Sequence, residues 1–319
     1  MKTVVQAPGK INLTLEVLGR RPDGFHDLRS VLLPVSLYET VEVEERADDA
    51  VTCRTAGEGV DVAALADLPL ERHLAVKAVR EMQRLCGTTR GCDIRIVKRV
   101  PIGAGMAGGS ADAAGAMAAL HRLWGFAGRW EALVEAGASV GSDVPALLHG
   151  GAVLMEGRGE RVSAVLRPDD KPPPPFWLVA VFPGYSVSTR QVFESWTPRL
   201  TAGADVCDNA ISSVRNGDVR AACLTAYNGL QDTVNRLHPE TERFCLALRE
   251  GGALSALLSG SGSAVFGLAE SRAHALRIQR SLPENVWSKV VSTLPDGVMA
   301  AHGFLMPRVM VQIHVGQPS

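Results

Sequence analysis

The stretch from Pro101 to Ala114, PIGAGMAGGSADAA, constrains this chain more than any other, because Gly103, Gly105, Gly108 and Gly109 stand directly before an alanine-rich helical pattern. Residues without a Cβ let successive backbone N–H groups turn toward one point, and a helix N-terminus adds partial positive charge there. Such a loop predicts a phosphate site. A tight turn that only packs a helix onto a sheet explains one or two of these glycines and leaves the others without a reason.

Two phosphate-loop types fail on detail. Residues 103–108 spell G-x-G-x-x-G, but a dinucleotide-binding unit needs a further parallel strand ending in an acid about 20 residues on. That window holds HRLWGFAGRWEAL, a helix end followed by another helix. A Walker A loop needs a lysine and a hydroxyl after its last glycine, and no lysine follows here.

With 319 residues, 46% of them hydrophobic, the chain is long enough for about two domains. Thirty-three basic residues against 34 acidic ones leave a formal net charge of −1, so no global field favours nucleic acid or an anionic membrane, and neither is expected as a partner. The N-terminus lacks an uninterrupted apolar signal segment, and no stretch reaches the roughly 18 apolar residues of a membrane span, which predicts a cytoplasmic protein. Six cysteines with irregular spacing and no C-x-x-C pair predict free thiols.

Period-two alternation predicts strands at 11–18, 40–45 and 93–97, and helical spacing predicts helices at 71–86, 110–124 and 130–139, with strand character returning at 150–156. The run RPDDKPPPP at 167–175 cannot continue a helix or an interior strand, so it marks the domain boundary, giving modules 1–167 and 168–319. The second module reads as α+β: a strand at 176–182, helices near 188–195, 218–227 and 239–250, apolar strands around the SGSGS turn at 254–270, a helix at 271–282 and a strand near 286–294.

Three segments, APGKINL at 7–13, the glycine loop, and LSGSGSAVF at 258–266, together resemble the three motifs of the GHMP kinases, the superfamily that includes galactokinase, homoserine kinase and mevalonate kinase. The resemblance spans most of the chain. It implies an α+β, two-domain fold: an N-terminal ribosomal-protein-S5-like α/β domain and a C-terminal ferredoxin-like α+β domain. Within the superfamily, GRRPDGFHDL at 19–28, GSDVP at 141–145 and LHGGAVLMEGRGE at 148–160 resemble segments of the 4-diphosphocytidyl-2-C-methyl-D-erythritol kinases of non-mevalonate isoprenoid biosynthesis.

That resemblance implies ATP and Mg²⁺ as cofactors, a small-molecule acceptor linked to cytidine diphosphate, and a monomer or weak homodimer. Taken alone, Lys10 reads as a solvated charge and Asp143 equally as a helix cap; the resemblance implies that they pair at the acceptor hydroxyl, with Asp143 as the catalytic base. It further implies ATP contacts from Lys98, Pro101, Gly103, Gly105, Gly108, Gly109 and Ser110, and acceptor contacts from Asn12, Phe25, His26, Thr189, Gly260 and Ser261. Ser110 and Asp112 are the magnesium candidates.

The chain departs from the family pattern at particular places. Phe25 stands for a tyrosine, which preserves stacking on a nucleobase and removes a hydroxyl. His73 replaces an asparagine of the adenine pocket. Ala104, Met106, Ala107, Ala111 and Asp112 interrupt the usual loop, and a Cβ at 104 and 107 predicts negative φ at both. Asn228-Gly229-Leu230-Gln231 lacks the two acids of the family element. Other readings are a homoserine or mevalonate kinase, a non-catalytic relative that binds a ligand, and a dehydrogenase; retention of both Lys10 and Asp143 argues against the second.

Overall fold

The computed structural model describes residues 1–198 and 205–296; the tail beyond, including the stretch after Leu305, lies outside the described residues. The first half is built on one sheet. Strand β1 (Lys2–Asn12) pairs antiparallel with the long β3 (His26–Glu45), which also carries β2 (Thr14–Arg20), β5 (Cys92–Lys98) and β6 (Val153–Gly157). Strand β4 (Val51–Gly57) lies parallel to β5, and β7 (Arg161–Ala164) closes a hairpin with β6.

The β1–β3 register slips between Pro8 and Lys10. Pro8 cannot donate to the ladder, so a bulge is where an interior strand tolerates it, and a bulge re-aims the side chain that follows. Here it lets the Lys10 N–H reach the carbonyl of Met106, at 3.0 Å, instead of strand β3. The first sequence motif is thereby pinned to the glycine loop.

After the short α1 (Ala63–Ala66), which buries no residue, helices α2 (Leu74–Cys86), α3 (Gly108–Trp124), α4 (Trp130–Val140) and α5 (Val144–His149) pack together over one face of this sheet. Helix α3 is buried along almost its whole length, from Ser110 to Leu120. Its alanines permit that, because a helix with apolar residues all round must be enclosed, and short side chains let β1, β3 and α2 approach it closely. The helix runs inward from the glycine loop, so the loop is fixed by the core behind it.

The second half carries β8 (Trp177–Phe182), α6 (Thr189–Ser195), α7 (Val206–Asn216), α8 (Val219–Thr225), β9 (Tyr227–Asn228), α9 (Gln231–Leu237), α10 (Glu240–Glu250), β10 (Ser255–Leu258), β11 (Val265–Ala269), α11 (Arg272–Ser281) and β12 (Trp287–Ser292). Its sheet has the antiparallel order β10-β11-β8-β12, the strand order of a ferredoxin-like domain. The two halves are not independent. Strand β9 adds parallel to β2, and one apolar cluster joins Ile11, Leu33, Val100 and Met106 to Leu178, Phe266 and Leu268.

Strands β4, β7 and β9 and helices α1, α5, α7 and α9 are not among the elements that the sequence predicts. Val51–Gly57 is half exposed with little alternation, and α9 is only 7 residues long, too short for a periodic signal. One backbone expectation is overturned: Ala107 has φ 59°, in the left-handed region, whereas Ala104 is not among the residues with positive φ. Ala107 precedes the first turn of α3, and its carbonyl accepts from the Ala111 N–H at 2.9 Å. Closing that turn outweighs the roughly 1–2 kcal/mol that a Cβ costs there. The six cysteines are free, as the spacing predicts.

Candidate active site

The glycine loop leaves the buried Pro101 at the end of β5 and enters α3, and the turn between β10 and β11 packs against it. The contact is backbone on backbone. A Cβ at Gly105, whose φ is +73°, would lie 2.1 Å from the Ser259 carbonyl oxygen, and a Cβ at Gly260, at φ +56°, would lie 2.9 Å from the Gly105 carbonyl oxygen and 3.0 Å from Lys10 Nζ. The Ala264 N–H donates to the Ala104 carbonyl at 3.0 Å and Ser259 Oγ to the Gly105 carbonyl at 3.2 Å. The second and third motifs thus form one surface.

Lys10 sits beneath that surface. Its ammonium donates to Asn12 Oδ1 at 2.7 Å and to the Gly105 carbonyl at 2.9 Å, and lies 3.7 Å from Asp143 Oδ2. Residues two apart on a strand share a face, which is why Lys10 and Asn12 meet. Asn12 is oriented in turn: its Nδ2 donates to Ser30 Oγ at 2.7 Å, and Ser30 Oγ donates to the Thr14 carbonyl at 2.5 Å. Burial pushes Lys10 below the ordinary lysine value, and the neighbouring Asp143 carboxylate works against that shift.

Asp143 begins α5 yet makes no capping bond with its side chain, so its carboxylate is not consumed as a helix cap. It is 24% exposed beside a lysine that is 4% exposed, an open carboxylate next to an enclosed cation. A Cβ at Gly141 would come 3.5 Å from Ser110 Oγ, which brings the first turn of α3 against the same Gly141–Asp143 segment. Lys10, Asn12, Asp143, Gly105, Ser110 and Gly260 therefore converge.

Lys98 and Asp112 form a separate group below the loop. Lys98 Nζ lies 2.6 Å from Glu39 Oε1 and 2.7 Å from Asp112 Oδ2, all three being buried. Gly108 packs over them; a Cβ there would meet Glu39 Oε1 at 2.9 Å and Lys98 Nζ at 3.1 Å. Burial would depress Lys98, but Asp112 and Glu39 outweigh it and hold the ammonium above its ordinary value. Burial pushes Glu39 up, and pushes Asp112 up to about 7. A Cβ at Gly109 would meet Leu74 at 3.4 Å, and His73 precedes α2 without a side-chain capping bond.

At the far end of the site, Phe25 is 50% exposed and the Arg158 guanidinium lies 3.8 Å from its ring centroid. His26 packs against Phe193 and Trp196, with ring centroids 5.1 and 5.6 Å away, and burial first, then Arg20, lowers its basicity. Thr189 Oγ1 and Ser261 Oγ share a hydrogen bond of 2.7 Å, tying α6 to the third motif. A cleft lined by Trp196, Tyr227, Asn228, Gly229 and Asp232 opens beside His26.

One functional side chain escaped the sequence reading. Asn228 Nδ2 donates to the carbonyls of Leu258 and Gly260, at 2.9 and 2.8 Å, while its Oδ1 accepts from the Leu230 N–H at 2.8 Å. Gln231 Oε1 accepts from the Leu258 N–H at 3.1 Å. The element lacks two acids of the family pattern but keeps this asparagine, which holds the third motif in place.

A magnesium ion that arrives with nucleotide phosphates needs one or two protein oxygens. Ser110 Oγ, at the convergence point, fits that need. Asp112 Oδ1 is buried without a hydrogen-bond partner, but its other oxygen faces Lys98, so its donor chemistry is divided. No cluster of three or more His, Cys, Asp or Glu able to hold a metal occurs among the described residues.

Sequence models described as the GHMP kinases N terminal domain and the GHMP kinases C terminal match residues 73–151 and 210–288. The first match contains the glycine loop and Asp143. A 4-diphosphocytidyl-2-C-methyl-D-erythritol kinase of Bacillus cereus (strain B4264) is 34% identical over 278 residues, covering 86% of this chain and 92% of the relative. A solved structure of 4-(cytidine 5'-diphospho)-2C-methyl-D-erythritol kinase superposes with a TM-score of 0.74 at 30% identity, over 92% of this chain and 99% of that one. Homoserine kinase from Cytophaga hutchinsonii, at 16% identity and a TM-score of 0.73 over 93% and 96% of the two chains, shares the fold.

Proposed function

We propose that this chain, which belongs to the 4-diphosphocytidyl-2-C-methyl-D-erythritol kinase family of the GHMP kinases, transfers the γ-phosphoryl group of ATP to the 2-hydroxyl of 4-diphosphocytidyl-2-C-methyl-D-erythritol. The observation that carries this reading is the Lys10–Asp143 pair, 3.7 Å apart at the mouth of the glycine loop, with an exposed aromatic and a histidine at the other end of the site. A cytosine ring suits Phe25 and His26, since stacking needs only an aromatic face and the base edge needs a polar neighbour.

Phosphoryl transfer passes through a loose transition state, so alignment and charge stabilisation supply most of the catalysis. The acceptor oxygen bonds to the γ-phosphorus, the bond to the β,γ-bridging oxygen breaks, ADP leaves, and the hydroxyl proton passes to Asp143. Lys10, 3.7 Å from Asp143, offsets negative charge developing at the acceptor oxygen. Asn12 and the Gly105 carbonyl fix the ammonium that does this. Magnesium, held by the phosphates and Ser110, would neutralise charge on the transferring group.

A coupled ADP-release assay tests the assignment. Turnover of the cytidyl substrate, and none of homoserine, mevalonate or galactose, is expected; absence of turnover with all four favours a ligand-binding relative.

A further inference from the structure

We infer that Arg158, on the turn between β6 and β7, is the group that recognises the diphosphate joining the nucleoside to the acceptor alcohol. This rests on the cytidyl substrate proposed above. One end of that substrate belongs at Phe25 and His26 and the other at Lys10 and Asp143, so its diphosphate must cross whatever lies between them.

The 157–160 turn lies there. Gly157 pairs with Leu28, three residues after Phe25, which sets the turn beside the aromatic. On its other side the turn abuts the catalytic segment: Gly159 has φ +115°, and a Cβ there would lie 2.3 Å from the Ser142 carbonyl oxygen, next to Asp143. Arg158 is thus held between the two ends of the site.

Its guanidinium lies on the Phe25 ring and within reach of the Asp23 charge, but forms no ion pair. Among the described residues no carboxylate lies within ion-pair distance of it, and its Nε is buried without a hydrogen-bond partner. Glu160 accepts from the Arg158 backbone N–H, at 2.5 Å, and its other oxygen lies 4.0 Å from the Arg21 guanidinium rather than that of Arg158. Other nearby charges are taken: Arg21 binds Asp23 and Asp27, and Asp23 also accepts from the Phe25 N–H. Stacking on the Phe25 ring preorganises the guanidinium while leaving its N–H fork free for phosphate oxygens, which it can bind in bidentate fashion.

The test compares Arg158→Met, which keeps a long side chain on the ring, and Arg158→Lys with the unaltered full-length chain. Affinities for CDP and for cytidine are measured by calorimetric titration, alongside KM and kcat for the cytidyl substrate. Arg158→Met should weaken CDP and raise that KM by about 10–100-fold, the scale of a charge-assisted hydrogen bond, with cytidine affinity, kcat and the KM for ATP nearly unchanged. Arg158→Lys should recover part of the loss. Equal losses for CDP and cytidine would assign Arg158 to packing, and an unchanged CDP affinity would remove it from substrate recognition; either overturns the inference. Failure of the unaltered chain to turn over the cytidyl substrate while still binding CDP would instead count against the proposed reaction.

Discussion

Lys10 Nζ stands 3.7 Å from Asp143 Oδ2, yet its shorter bonds go to Asn12 and the Gly105 carbonyl. The cation is therefore held by neighbours other than Asp143, which leaves the Asp143 carboxylate free for the proton that the proposed reaction releases.

Replacing Asp143 with asparagine should lower kcat by roughly 10²–10⁴ while leaving the KM for ATP nearly unchanged, because a general base acts in the transition state. Steady-state ADP release at saturating substrate measures it. Near-normal turnover would remove Asp143 from the role.

Lys98→Met leaves Glu39 and Asp112 buried without their cation. Breaking such a group costs about 3–5 kcal/mol, read as a large drop in Tm. A change within experimental error would show that the cluster carries no structural weight.

The same cluster predicts a pH effect. Burial, opposed by Lys98 and reinforced by Glu39, lifts Asp112 from 3.8 to about 7. The folded chain then binds that proton more tightly than the unfolded one. Its contribution to stability is complete below the unfolded value and is lost as pH rises through the folded value. Asp112→Asn cannot titrate, so the stability difference between the two proteins should change with pH across the interval between those values, and denaturant unfolding should follow it. A flat difference would refute the assignment.

Gly105→Ala should impair both folding and nucleotide binding, since the new Cβ meets the Ser259 carbonyl at a residue with positive φ. Strain of this kind costs about 1–3 kcal/mol, seen in Tm, with a raised KM for ATP. An unaffected variant would mean that the two loops separate readily.

Asn228→Ala removes the donor to Leu258 and Gly260 and leaves buried carbonyls unpaired, for a loss of about 1–3 kcal/mol. Because the third motif lines the site, KM values should rise along with the drop in Tm. A Tm loss with unchanged kinetics would confine Asn228 to folding.

Much of the site was legible because its parts are local. Glycine spacing marks a backbone that must approach other atoms, and the Lys10–Asn12 alternation places two polar groups on one strand face. Ala107 was misread because its conformation is imposed by closure of the first turn of α3, which no residue preference reveals. Asp112 was legible as an odd carboxylate near phosphate but not as the partner of Lys98 and Glu39, since those residues are brought together only by the β3–β5 pairing and the approach of α3. Asn228 was obscured because its partners are 30 and 32 positions away in the chain.

The carbonyl of Gly105 accepts from both Lys10 Nζ and Ser259 Oγ. One peptide oxygen therefore touches all three motifs, between the Met106 and Ala104 carbonyls that each join two of them: displacement of the loop backbone alters the seating of the ammonium and the grip of the third motif in the same movement. In the reaction proposed above, seating of the donor nucleotide on the loop and placement of the ammonium beside the acceptor would be geared together through that atom.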